Sequence, residues 1–216
     1  MSRTRPRTFS RSETTRAEAF SDGVFAIAVT LLVLNLTDPP HRPGGLGHAL
    51  LAQWPAYLGY LASFGYVAVI WLNHHQAFVR IRIMDRGLHA ANLFILLTTA
   101  ALSFPTAVVA DALRADLMDA DARVAVALYA GLAAAMCLSW VVFYQQLARR
   151  PELLHPDAER AYVRHGRLRS WAGALAYAVA GLLGVLVAPL LAIGVFVVLP
   201  VFYFVTSEGL PEGRDG

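Results

Sequence analysis

Near the C-terminus lies an apolar stretch too long for one membrane-spanning helix. From Ser170 to Thr206 there are 37 residues without a charged side chain. A continuous helix of this length would measure about 56 Å, nearly twice the roughly 30 Å thickness of a bilayer's hydrocarbon core. Two spans joined by a tight turn fit better, and Pro189, which follows Gly181 and Gly184, marks the predicted turn.

Four further apolar blocks precede this stretch, and each has about the length that a membrane-spanning helix needs. They are 17–36, 55–73, 90–110 and 124–147. Apolar residues make up 57% of the chain and charged residues 15%. Soluble domains carry about 45–50% apolar residues and about 25% charged residues. The sequence therefore predicts an all-α integral membrane bundle of six transmembrane helices, surrounded by lipid.

The basic residues predict the orientation of these spans. All 18 are arginines, and with six spans and the N-terminus inside only Arg42, Arg114 and Arg123 fall on the outer side. The remaining 15 lie inside, as expected for a multi-pass protein of the cell (plasma) membrane with both termini cytoplasmic. We expect a basic cytoplasmic tail over residues 1–15, a six-helix domain over 16–207 and a short cytoplasmic tail over 208–216.

Several classes of protein are disfavoured. The arginines lie between apolar blocks rather than along one basic face, which argues against nucleic-acid binding. No phosphate-binding glycine loop, zinc-protease motif or nucleophile elbow is present, so we predict no catalytic residue, no metal site and no cofactor. The single cysteine, Cys137, excludes an intrachain disulfide and is expected to be a packing residue.

Polar residues from three spans are expected at one membrane depth. Ser21 and Asp22 lie early in helix 1, His74 near the end of helix 2 and Asn92 near the start of helix 3. A structural clamp, a proton relay through Asp22 and a histidine, and metal or haem ligation are the three interpretations. The last is disfavoured because His74 and His75 are adjacent and point about 100° apart on a helix.

Helix 1 also carries an apolar stripe. Ile27, Leu31 and Leu34 are spaced i, i+4 and i+7, and Thr30 lies on the same side. Such a stripe is most often ordinary helix packing.

The start of helix 1 resembles a known family. Arg16, Phe20, Ser21 and Asp22 match the R-x-x-x-F-S-D signature of the transmembrane-protein-175 potassium channel family. The sequences Trp-Leu-Asn-His at 71–74 and Phe-Pro-Thr at 104–106 are also similar to family patterns. Bacterial members have one six-span unit and form homotetramers, whereas animal relatives carry two units and form dimers. The resemblance implies a homotetramer here.

The resemblance also implies a function for helix 1. It implies a potassium-permeable, modestly selective cation channel with Ile27 as the innermost ring of a hydrophobic constriction, Leu31 and Leu34 above it, and Thr30 supplying selectivity. The potassium ion would be the permeant species and no cofactor is expected. A structural polar network is expected to contain Arg16, Phe20, Ser21, Asp22, His74 and Asn92. The alternative is a proton-conducting or secondary transport protein that uses Asp22 and His74.

Overall fold

A computed structural model describes residues 11–115 and 119–206, and the regular elements in these ranges are helices. In chain order they are α1 (Arg11–Leu31), α2 (Leu46–Ala52), α3 (Trp54–Val79), α4 (Arg86–Ala100), α5 (Ser103–Ala115), α6 (Ala120–Arg149), α7 (Arg160–Leu186) and α8 (Pro189–Thr206). Short 3-10 segments occupy Leu32–Asn35 and Pro151–Leu153; the first directly continues α1 as part of the same span, Thr14–Asn35, and is counted with α1 below. The predicted all-α class is confirmed. Most of the predicted N-terminal tail (residues 1–10) and the whole C-terminal tail (208–216) lie outside the described residues.

The helices match the predicted membrane spans. Five helical stretches are long and apolar enough to cross a membrane, and the segment Pro189–Phe204 of α8 is a shorter apolar helix. The chain turns at Val187 and Ala188, directly before Pro189, which opens α8. Proline suits the first turn of a helix because its missing N–H would have no partner there. The predicted turn is therefore confirmed.

Some helices extend beyond the apolar blocks. The second span continues as α3 to Val79, six residues past the predicted end at Asn73, and α7 begins at Arg160, well before the uncharged stretch. Apolar counting detects only the part of a helix that lies in hydrocarbon. A helix continues into the polar interface because its backbone hydrogen bonds remain satisfied there.

The third span is present, but it is not one uninterrupted helix. Helix α4 ends at Ala100 and α5 begins at Ser103. Pro105 has no N–H with which to reach the carbonyl of Ala101, so the helical ladder is broken at this point. The carbonyl of Ala101 accepts instead from the N–H of Phe104, at 3.2 Å, and the N–H and hydroxyl of Thr106 both donate to the carbonyl of Leu102. The predicted third span is therefore confirmed as the stretch Arg86–Leu113, with a local break that the sequence did not predict.

The long helix α6 lies at the centre of the bundle and packs against α4, α5 and α7. A Cβ added to Gly181 of α7 would lie 2.6 Å from that of Ala130 on α6, so these two helices approach closely. Small residues permit such approach between membrane helices. Among the described residues, α1 packs mainly against α3 and α4, and its 3-10 continuation packs against α3 and α5, which leaves it at the edge of the bundle.

Candidate pore helix and its polar anchor

One face of α1 is buried against its own chain. Ser21, Phe25, Ala28 and Leu32 follow one another at intervals of four, three and four residues, and each is 3% exposed or less. These intervals place the four side chains on a single face of the helix. Helices α3 and α4 cover this face.

The remaining surface of α1 carries large aliphatic side chains that the described part of the chain leaves exposed. Ile27 is 61% exposed, Leu31 43% and Leu34 68%, and Thr30 between them is exposed as well. Nothing lies within 4 Å of a Cβ added at Gly23, one turn before Ile27. The structure therefore places the four predicted pore residues on one uncovered side of α1, which we call the aliphatic stripe (Ile27, Thr30, Leu31 and Leu34).

Thr30 is the polar member of the aliphatic stripe. Its hydroxyl donates a hydrogen bond to the carbonyl of Ile27 in the same helix, at 2.9 Å. This backbone bond commits the hydroxyl proton, as is common for threonine in helices. The oxygen lone pairs remain available on the exposed side, where they can accept a hydrogen bond or coordinate a cation.

A chain of buried hydrogen bonds fixes α1 to α3 and α4. His74 Nε2 donates to Asn92 Oδ1 at 2.8 Å, and Asn92 Nδ2 donates to Ser21 Oγ at 2.9 Å. Ser21 in turn donates to the carbonyl of Ala17 at 2.8 Å. All three side chains are almost fully buried, so each donor needs the acceptor that it has. We call Ser21, His74 and Asn92 the three-helix anchor.

Asp22 has a different partner from the one expected. Its Oδ1 accepts a hydrogen bond of 3.0 Å from Trp71 Nε1 on α3, and the ring of Trp71 stacks on that of His75. One turn earlier, Glu18 Oε1 lies 3.4 Å from His75 Nδ1. These contacts join α1 to α3 a second time. His75 was expected among the contact residues at this depth, whereas Trp71 and Glu18 were not, although Trp71 belongs to the Trp-Leu-Asn-His motif.

The other two predicted network members lie elsewhere. Phe20 is 58% exposed and Arg16 is exposed, so a single chain places both outside the buried three-helix anchor. Phe20 lies on the same side of α1 as the aliphatic stripe. The structure thus brings together three of the six residues assigned to the network, with Asp22 bonded beside them.

The surroundings of His74 are aromatic. Its ring stacks on Phe78 with centroids 4.2 Å apart and meets the edge of Phe25 at 5.0 Å, and Trp140 lies beyond. Among the described residues, no group of three or more histidine, cysteine, aspartate or glutamate side chains could hold a metal ion. The surroundings of His74 are those of a packed structural histidine.

The far end of α1 is held by two further polar contacts. Asn35 Nδ2 donates to the carbonyl of Ser103 at 3.2 Å, where the break between α4 and α5 lies. Gln53 Nε2 donates to the carbonyl of Thr37 at 2.9 Å. Sequence reasoning could not find these pairs because each joins a side chain to a distant backbone carbonyl.

These features define a multi-pass membrane protein of channel type: an apolar helix bundle in which one anchored edge helix presents an uncovered aliphatic stripe. Comparison with known proteins agrees. Residues 16–102 match the profile of the family described as "Endosomal/lysosomal potassium channel TMEM175". The potassium channel B446_29190 of Streptomyces collinus is 42% identical over 167 residues, which is 77% of this chain and 80% of that protein. The chain belongs to the TMEM175 family.

Two further relatives extend this comparison. The crystal structure of a lysosomal potassium-selective channel TMEM175 homolog from Chamaesiphon minutus superposes with a TM-score of 0.79 at 35% identity, covering 91% of this chain and 99% of that one. The human endosomal/lysosomal proton channel TMEM175 is 41% identical over 86 residues, which is 36% of this chain and 17% of that protein. The relatives are ion channels, and none is named as an enzyme.

Proposed function

We propose that this protein is a potassium-permeable, modestly selective cation channel whose pore is lined by α1. The observation that carries this proposal is the uncovered aliphatic stripe on a helix whose opposite face is locked into the bundle. The potassium channel names of the bacterial relatives support the choice of ion. The permeant ion binds transiently, and the mechanism requires no resident cofactor.

A pore of this type needs several copies of the chain. One copy of α1 cannot enclose a conduit, whereas a closed ring of identical protomers can. We therefore propose a homotetramer in which four aliphatic stripes face a common axis. Ile27 lies deepest toward the arginine-rich end of the bundle, with Leu31 and Leu34 farther out. We further propose that this arginine-rich end and both termini lie in the cytoplasm and that the channel resides in the plasma membrane.

Aliphatic rings control ion permeation by admitting water to the pore or expelling it. A narrow ring of isoleucine or leucine side chains offers ions no ligands and closes by expelling water, so it conducts only when it widens. Discrimination between potassium and sodium is then expected to be modest. The Asp22–Trp71 hydrogen bond and the three-helix anchor hold α1 in the orientation that presents these rings.

Recordings from purified protein in planar bilayers test the proposal. We expect discrete unitary currents carried by potassium and, less readily, by sodium, because an open pore passes many ions per opening. Saturable flux at carrier-like rates without unitary steps would exclude a channel and favour the secondary transport alternative.

Proton conduction is the second candidate, and the name of the human relative favours it. A relay directly from Asp22 to His74 has little support, because Asp22 bonds to Trp71 while His74 bonds to Asn92. Protons would therefore use the same α1-lined pore as potassium. A reversal potential that follows a pH gradient, with potassium equal on both sides, identifies proton current.

Thr30 is proposed to supply what selectivity the pore has. Thr30→Val keeps the shape of the side chain but removes four oxygens from the ring, so the potassium-to-sodium permeability ratio should fall toward 1. Thr30→Ser keeps the hydroxyl and serves as the matched control, which should retain the ratio. Reversal potentials under bi-ionic conditions measure the potassium-to-sodium permeability ratio of both variants. An unchanged ratio in Thr30→Val would remove Thr30 from the selectivity mechanism.

A further inference from the structure

A groove runs beside the aliphatic stripe, between α1 and α3. It has a volume of about 400 Å³ and is almost entirely apolar, with the Asp22–Trp71 pair at one end. Its lining residues, which define the α1–α3 groove, are Asp22, Phe25, Ala26, Val29, Phe64, Val67, Ala68 and Trp71. Ala26 and Ala68 keep the middle of the groove open because their side chains are small. Small residues of this kind let another helix approach closely.

The two flanks of α1 differ. Toward α3 it presents Glu18 and Asp22, which contact His75 and Trp71. Toward α4 it presents Ser21, which contacts Asn92. Because successive helical residues turn by about 100°, α3 and α4 lie on different sides of α1. One flank of the pore helix therefore carries an open groove and the other is backed by α4.

Helix α4 carries a ridge on its outward side. Leu93 is 55% exposed and Leu97 is 66% exposed, one turn apart. We call these two residues the α4 ridge. In a ring of protomers related by rotation, each subunit must meet its neighbour with two different surfaces that fit one another. A groove on one flank of α1 and a ridge on the other meet this requirement.

The depths of the two surfaces also agree. Helices α1 and α4 both start at the arginine-rich end, and Ser21 meets Asn92, 71 positions later. By this offset Leu97 lies at the level of Ala26, and Leu93 at the level of Asp22. Rotation about an axis normal to the membrane leaves depth unchanged. The ridge of one protomer therefore reaches its neighbour at the level of the groove.

We propose that the α1–α3 groove is filled by the α4 ridge of the adjacent copy of this chain, so that the wall of the pore is sealed between subunits. The proposal rests on the tetrameric channel proposed above and specifies its subunit contact. Leu97 packs over Ala26 and Ala68, and Leu93 packs near Trp71. The contact is heterologous, since each protomer gives its ridge to one neighbour and its groove to the other.

Cysteine cross-linking tests this contact. In a Cys137→Ala background, Ala26→Cys and Leu97→Cys are introduced together, and the detergent-purified protein is oxidised with copper phenanthroline. We expect a ladder of covalent dimers, trimers and tetramers on denaturing gels, because every protomer then carries both halves of the link. Each single-cysteine variant should remain monomeric on the same gel, because in this contact neither Ala26 nor Leu97 lies opposite the same residue of a neighbouring subunit.

A control pair of cysteines and a mass measurement complete the experiment. Ala26→Cys with Leu175→Cys places the second thiol on the outward side of α7, where Leu175 is also exposed, and should give no ladder. Native mass spectrometry on each sample reports the assembly independently. Tetramers without a ladder in the Ala26–Leu97 pair would overturn the proposed contact and leave the channel proposal intact. A single-cysteine ladder would overturn the heterologous arrangement, and absence of tetramers would remove both proposals.

Discussion

Ile27→Asn is expected to raise the single-channel conductance or the open probability by about tenfold or more. An amide in place of the butyl group holds water in the narrowest ring, so the pore no longer closes by dewetting. A tenfold gain corresponds to a barrier lowered by about 1.4 kcal/mol. The side chain is 61% exposed, so the change removes little packing within the protomer. Leu31→Asn should act in the same direction, and bilayer recordings measure both.

The control for this experiment keeps the ring aliphatic. Ile27→Leu has the same number of carbon atoms and should leave the current close to that of the parent protein. If both asparagine variants assemble as tetramers and conduct like the parent, α1 does not form the narrow part of the pore. Native mass spectrometry of the same preparations establishes their assembly.

Asn92→Leu is expected to lower the free energy of unfolding by about 2–4 kcal/mol. Leucine has the same number of side-chain heavy atoms as asparagine and the same branch point, but it can neither accept from His74 nor donate to Ser21. The buried N–H of His74 is left without an acceptor, and an unsatisfied buried polar group costs about 1–3 kcal/mol. The loss of the link between α1 and the other two helices adds to this cost. Equilibrium unfolding in mixed micelles with increasing dodecyl sulfate measures the change.

Thr98→Val provides the matched control on the same helix. Thr98 is also buried, but its hydroxyl donates only to the carbonyls of Phe94 and Ile95 in its own helix. Valine preserves its shape and breaks no contact between helices, so the unfolding free energy should change by less than about 1 kcal/mol. Equal losses in the two variants would show that buried polarity on α4, and not the three-helix anchor, determines stability.

Depth along a membrane helix could be predicted from the sequence, but rotation about the helix axis could not. Counting residues placed Ser21, Asp22, His74 and Asn92 at one level, and the structure has them there. Which of them touch depends on how α3 is rotated. His74 faces α4 while Trp71 and His75, one turn apart from each other, face α1. That rotation results from packing of the whole bundle, so Trp71 was not foreseen as the partner of Asp22.

The turn before Pro189 and the break before Pro105 show what local sequence patterns can and cannot predict. The tight turn before Pro189 was predicted because a charge-free stretch of excessive length had to reverse somewhere. The break before Pro105 was missed, because a proline within a long apolar block can also be accommodated as a kink when neighbouring helices satisfy the freed backbone groups. In the structure the carbonyl of Ser103 at this break receives Asn35 from α1, a contact between residues 68 positions apart.

For the aliphatic stripe, helical periodicity and the structure each supply a different part of the interpretation. Periodicity alone placed Ile27, Leu31 and Leu34 on one face, which fits packing as well as a pore. The structure adds that this face is left exposed by residues 11–115 and 119–206. The role of Thr30 still rests on the resemblance and on its outward hydroxyl, and the variants described above test it.

The three-helix anchor fixes α1 at Ser21, before the first residue of the aliphatic stripe, so a tilt of α1 about this point acts on the stripe as on the arm of a lever. Ser21 lies six residues, or about 9 Å, from Ile27 and thirteen residues, or about 20 Å, from Leu34 at 1.5 Å per residue. Once the Asn35–Ser103 and Gln53–Thr37 contacts beyond Leu34 are released, a tilt of α1 about Ser21 displaces Leu34 roughly twice as far as Ile27. A given change of angle widens the ring at Leu34 most and the ring at Ile27 least. The Ile27 ring is therefore the last to admit water and the first to exclude it.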